Sequence, residues 1–69
     1  MNKKLEFFIF LLERYSYYKN TSAGRILNEL DKKQLTEFVY NNYEIYHSER
    51  LENAFEDLDN LIETGKTAW

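Results

Sequence analysis

The 69-residue chain has no cysteine and no proline, only two glycines and a single histidine. Each scarcity removes a class of protein. Without Cys there is no disulfide staple and no thiolate ligand or nucleophile, which fits a cytoplasmic protein. With His47 as the one imidazole, Cys-His pairs and multi-His metal sites are excluded, and no cofactor, metal or catalytic residue is expected. Gly24 and Gly65 stand far apart, so there is no Gly-rich phosphate loop. No Asn-Gly or Asp-Gly turn separates alternating runs, so strand signals are weak. The longest apolar run, Phe7–Leu12, has six residues, against about 20 needed to cross a bilayer. It follows a basic start, as in a signal peptide, but Glu6 precedes it, Glu13-Arg14 follows it, and no small-residue cleavage site appears. It reads as a buried helix, and no membrane partner is expected.

What the chain has is aromatic residues: twelve Phe, Tyr and Trp, 17% of the sequence. Each ring can bury about 150–250 Å², while a domain this small buries only about 60% of its unfolded surface. One core cannot enclose them all, so some rings belong to the surface or to an interface. A homodimer is expected on this ground, joined through the first helix at Phe7, Phe10 and Leu11. Charge is sorted as well. Residues 1–34 hold seven of nine Lys/Arg and four of twelve Asp/Glu, a net of +3, and residues 35–69 carry −6. Sorted charge speaks to association rather than to chemistry.

Helical spacing dominates the pattern and predicts an all-α domain of four helices, near 3–19, 22–30, 32–42 and 48–63, with a loose tail over 65–69. In the first, Leu5, Phe8, Ile9, Leu12 and Tyr15 recur at helical intervals, and apolar residues fill much of the other side, as in a helix central to its domain or shared between chains. Ser22 is an N-cap candidate for the second helix, with Ile26, Leu27 and Leu30 inward. Asp31 is expected to cap the third, with Leu35, Phe38 and Val39 inward. Asn41-Asn42 reads as its exit, and 43–47 as a connector. Ser48 is expected to cap the last helix, where Leu51, Ala54, Phe55, Leu58, Leu61 and Ile62 form an unbroken stripe around a core anchor at Phe55. Gly65 fits its end.

Two segments stand out as contact surfaces. Tyr40, Tyr43, Glu44, Tyr46 and His47 crowd into eight residues, and Tyr suits interfaces because it combines a large contact area with a hydroxyl. Tyr46 is read as exposed. The alternative is that this segment only stitches the third helix to the fourth. Glu52, Glu56 and Asp59 lie off the apolar stripe of the last helix, as a binding edge or simply a solvated face.

At these positions the chain resembles a family of short, uncharacterised bacterial all-helical proteins. The resemblance rests on Leu11-Leu12-Glu13-Arg14-Tyr15, Thr21-Ser22-Ala23-Gly24, and Asn42-Tyr43-Glu44-Ile45-Tyr46-His47, where the family pattern reads Asn-Tyr-Asp-x-Leu-His. The Leu51–Ile62 helix fits too, and residues 5–63 are covered. The sequence departs at Glu44, where the family prefers Asp, and at Tyr46, where it prefers Leu. Such proteins are often companions of genes for ADP-ribosyltransferase-like toxins. The resemblance therefore implies an antitoxin or immunity-like role toward a protein encoded nearby. The overall reading is a non-enzymatic module that binds and restrains another protein. Two alternatives remain: a small DNA-binding regulator, disfavoured by the net charge of −3, and a phage-type inhibitor whose acidic helix mimics nucleic acid.

Overall fold

A run of helix-compatible residues without a breaker forms α1, Lys3–Tyr18. It starts where the Asn2 Oδ1 accepts the Leu5 N–H at 2.7 Å. In the computed structural model, which describes residues 2–65, four more helices follow: α2 Ala23–Lys32, α3 Thr36–Asn41, α4 Tyr43–Ser48 and α5 Leu51–Thr64. There is no strand among the described residues. The expected all-α architecture holds with five helices in place of four. The expectation for residues 66–69 lies outside the described residues.

Helix α1 is central: α2, α3 and α4 pack against it, and α5 packs against α4. Its inward face is turned relative to the expected stripe. Phe8, Leu11, Leu12 and Tyr15 are buried, whereas Leu5 and Ile9 are exposed. Facing them are Ile26 and Leu30 of α2, Val39 of α3, Tyr46 of α4, and Ala54, Leu58 and Leu61 of α5. Phe38, expected inward, is largely exposed.

The turns after α1 and α2 use one device. Asn20 (φ 58°) and Gln34 (φ 59°) adopt the left-handed conformation. After α1, the Asn20 N–H donates to the Tyr17 carbonyl and the Thr21 N–H to the Ser16 carbonyl. After α2, Gln34 N–H donates to the Asp31 carbonyl and Leu35 N–H to the Leu30 carbonyl. This paired pattern satisfies carbonyls that a helix end leaves open. The Ser22 hydroxyl then accepts the Arg25 N–H at the start of α2, as expected. Gly65 closes α5 in the left-handed region at φ 78°, also as expected.

Three caps fall elsewhere than expected. Asp31 lies within α2, and its carboxylate accepts a hydrogen bond from the Thr36 hydroxyl across the turn. Leu35 precedes α3, which is therefore shorter than expected. The 43–47 connector is helix α4, entered through Asn42 at φ −88° rather than through a left-handed Asn. Ser48 ends α4, its hydroxyl donating to the Glu44 carbonyl, and Arg50 stands at the start of α5.

Two tyrosines fill the core, each 1% exposed, with opposite polar fates. The Tyr15 hydroxyl donates to Asp59 Oδ1 at 2.5 Å, and the same oxygen meets the Lys19 ammonium at 3.1 Å. The Tyr46 hydroxyl and the buried Asn42 Nδ2 make no hydrogen bond of good geometry, although the Asn42 amide is near enough to favour the tyrosinate. Burial raises the pKa of both hydroxyls. The Asp59 carboxylate raises that of Tyr15 further, while Asn42 partly offsets the shift at Tyr46.

Three outcomes follow. Tyr15→Phe removes a hydrogen bond to a charged group and should cost about 1.5–3 kcal/mol, whereas Tyr46→Phe should leave stability unchanged or raise it; chemical denaturation of the pair compares them. Both folded-state pKa values lie above the ordinary 10.0, so above that pH the folded chain keeps protons that the unfolded chain releases. The stabilisation is complete below about pH 10 and declines as pH rises past it. A Tyr15→Phe/Tyr46→Phe chain, followed by circular dichroism from neutral to pH 11, should lose less of its own neutral-pH stability than the parent. Gln34→Gly relieves a left-handed residue that costs roughly 1 kcal/mol or more. Its melting temperature should rise by a few degrees, since about 1 kcal/mol moves a domain of this size by roughly 4–8 °C.

Candidate protein-interaction face

The side of α1 turned away from Leu12 carries Phe7, Phe10, Arg14, Tyr17 and Tyr18. Their spacing places them along one helical face. At its N-terminal end the Phe7 ring lies 6.1 Å from Phe10 and meets the rings of Tyr43 (5.7 Å) and His47 (6.2 Å) edge-on. Tyr43 and His47, one turn apart on α4, stack at 4.6 Å. The Arg14 guanidinium lies over the Phe10 ring at 5.5 Å. Further along, Tyr17 is 85% exposed, and Tyr18 stacks on Phe55 of α5 at 4.9 Å.

Beside this face, α1 and α5 leave a groove. One hollow of about 440 Å³ is lined by Arg14, Tyr17, Tyr18, Leu51 and Phe55. An adjoining one of about 240 Å³ is lined by Tyr18, Glu52, Phe55, Glu56 and Asp59. Tyr18 and Phe55 belong to both, so their stacked rings form a shared floor. The walls differ in character. Arg14 and Tyr17 stand on the α1 side, and the carboxylates of Glu52 and Glu56 on the α5 side.

The structure thus joins residues that the sequence offered as three separate surfaces. Phe7 and Phe10, expected in a dimer seam, share one aromatic face with Tyr43 and His47. Glu52 and Glu56 border the groove that continues it. Other expected contacts lie elsewhere. Tyr40 sits beyond the core ring of Phe8, meeting it edge-on at 5.5 Å, with the Lys4 ammonium 5.0 Å from its own ring. Glu44 is exposed on α4. Leu11 and Tyr46 are corrected outright. Both are 1% exposed core residues, so neither offers a side chain to another chain. Asp59, expected as a contact, is occupied within the fold by Tyr15 and Lys19.

Arg14, Tyr17 and Tyr18 were not singled out by sequence. The usable signal was the i, i+7, i+8 spacing of Phe10, Tyr17 and Tyr18 opposite the apolar stripe. Phe55 also changes role. It is half-buried, wedged between Tyr15 at 5.5 Å and Tyr18, with part of its ring lining the groove. Phe55→Ala should therefore cost about 2 kcal/mol, below the roughly 3–5 kcal/mol of a fully buried Phe. Urea denaturation of the variant checks the value.

Residues 6–65 match the model of a protein family, DUF3791, described as a protein of unknown function. No curated protein and no solved structure matches the chain. The family match runs from the first turns of α1 to the glycine that ends α5, and so the chain belongs to the DUF3791 family.

Proposed function

We propose that this protein is a non-enzymatic, cytoplasmic binding module that restrains a partner protein through the aromatic face of α1, α4 and α5. The observation that carries the reading is the exposure of rings on one continuous side: Phe10, Tyr17 and Tyr18 stand open beside Tyr43, His47 and Phe55. Aromatic residues and Arg are the side chains that dominate interface energetics, and here Arg14 stands among them. The titratable groups that burial shifts most, Tyr15 and Tyr46, lie in the core rather than in the groove, which suits a docking surface better than a reaction centre.

The class of partner comes from the resemblance at Asn42–His47 and Leu11–Tyr15. It points to a toxin-like protein encoded beside this one, with the chain acting as antitoxin or immunity protein. A second copy is a competing use of the same face, favoured by the exposure of Phe10 beside Phe7.

Co-expression with the product of the adjacent gene tests the reading. The two should co-purify, and Phe10→Ala and Tyr17→Ala should each weaken the complex more than tenfold, about 1.4 kcal/mol or more. Tyr17 is 85% exposed and its replacement should leave stability within about 0.5 kcal/mol, so its melting curve should stay close to the parent's. Phe10 also packs on Phe7, so its affinity is compared on protein shown by circular dichroism to be folded. Sedimentation equilibrium should show the 8.4 kDa chain shifting to a heteromeric species when partner is added. A homodimer that Phe10→Ala disperses, with no heteromer formed, overturns the reading in favour of self-association. Tight duplex-DNA binding that falls steeply with salt overturns it in favour of a regulator.

A further inference from the structure

We infer that the groove between α1 and α5 receives a basic amphipathic helix of the partner, its apolar side on the Tyr18–Phe55 floor and its cations against Glu52 and Glu56. The inference rests on the protein-binding reading and adds the chemistry of the segment bound.

The fold already holds one cation in this manner. The Lys19 ammonium pairs with Asp59 at 3.1 Å and lies 5.8 Å from the centre of the Tyr18 ring. A carboxylate on α5 and a ring on α1 together hold a positive charge at that end of the groove. One and two turns back along α5, Glu56 and Glu52 repeat the arrangement beside the same floor. Both are exposed, and neither has an ion-pair partner among the described residues. They stand four residues apart on one helix, where like charges repel one another. An arriving cation relieves that repulsion. α5 has no basic residue, so with Asp59 already paired to Lys19, Glu52 and Glu56 are the charges this wall of the groove leaves open to an arriving segment.

The floor selects for more than charge. The stacked rings of Tyr18 and Phe55 offer an apolar surface, to which a Leu-bearing helix face is suited. The two hollows, about 440 and 240 Å³, share Tyr18 and Phe55 as lining, so neighbouring side chains of one segment can enter both. An acidic segment would meet Glu52 and Glu56 with unpaired carboxylates. A purely apolar one would leave those charges without gain.

The test uses the full chain and three fluorescein-labelled peptides of roughly 14 residues, about four helical turns. One is an Arg/Leu amphipathic helix, the second has Glu for each Arg, and the third keeps Arg but has Ser for each Leu. Fluorescence anisotropy should show binding of the first alone. Glu52→Gln/Glu56→Gln should weaken it at least tenfold and flatten its salt dependence. Tyr18→Ala should weaken it at low and high salt alike. Glu13→Gln/Glu37→Gln, the same charge change away from the groove, should leave affinity within twofold. Equal loss from the two double variants reduces the effect to net charge and overturns the inference. So does failure of the Arg/Leu peptide to bind, or equal binding of the Glu peptide. If the adjacent gene's product still binds through Phe10 and Tyr17 in that case, the interaction face stands and only the basic segment is lost.

Discussion

One carboxylate oxygen joins the last helix to the central one by directed polar contacts. Asp59 Oδ1 accepts the Tyr15 hydroxyl from α1 and the Lys19 ammonium from just beyond it. Helix α5 packs against α4, its Ala54, Leu58 and Leu61 join the common core, and Phe55 meets Tyr15 and Tyr18 of α1. The Tyr15–Asp59 bond adds a directional link to the apolar packing of Ala54, Leu58 and Leu61. On the same stretch of α5, Phe55 packs on Tyr15 and Tyr18 and lines the groove. A small domain without disulfide or metal depends heavily on such contacts, because its core alone supplies only a few kcal/mol.

The abundance of rings follows from the same constraint. The central helix must be apolar toward several neighbours at once, so it carries Phe, Leu and Tyr nearly all round. The core takes Phe8, Leu11, Leu12 and Tyr15. The remaining rings cannot be enclosed, and they line up on the side that α4 and α5 only partly cover. An aromatic surface thus arises from the demands of folding a short chain, and it is available for binding without further cost in stability.

How far the sequence revealed this depends on helix length. Helix α5 was legible because six apolar positions repeat without a gap and Gly65 marks the end. The central place of α1 was legible from its all-round apolarity. Helices α3 and α4 were not, since each has six residues, too few for periodicity to register, and helices so short are held by tertiary contacts rather than propensity. Misreading 43–47 as a connector made Ser48 look like a cap and Tyr46 look exposed. The resemblance's own preference for Leu at position 46 was the better guide, because Leu marks an inward position. For the site, the excess of aromatics over core capacity was visible, and so were Tyr43, His47 and the acids of α5. That these meet Phe7, Phe10 and Tyr18 on one face depends on helix packing angles, which composition does not encode.

The central claim is that one face, running from Tyr43 and His47 across Phe10 to the Tyr18–Phe55 groove, is where another protein docks. Amide chemical-shift mapping of the isotopically labelled chain, titrated with the unlabelled product of the adjacent gene, tests it most directly. The account predicts that shifts concentrate on the outer side of α1, on α4, and on the Leu51–Asp59 stretch of α5, with α2 and α3 little changed. Shifts centred on Arg25, Lys32 and Glu37, with Tyr17, Tyr18 and Phe55 undisturbed, would contradict it.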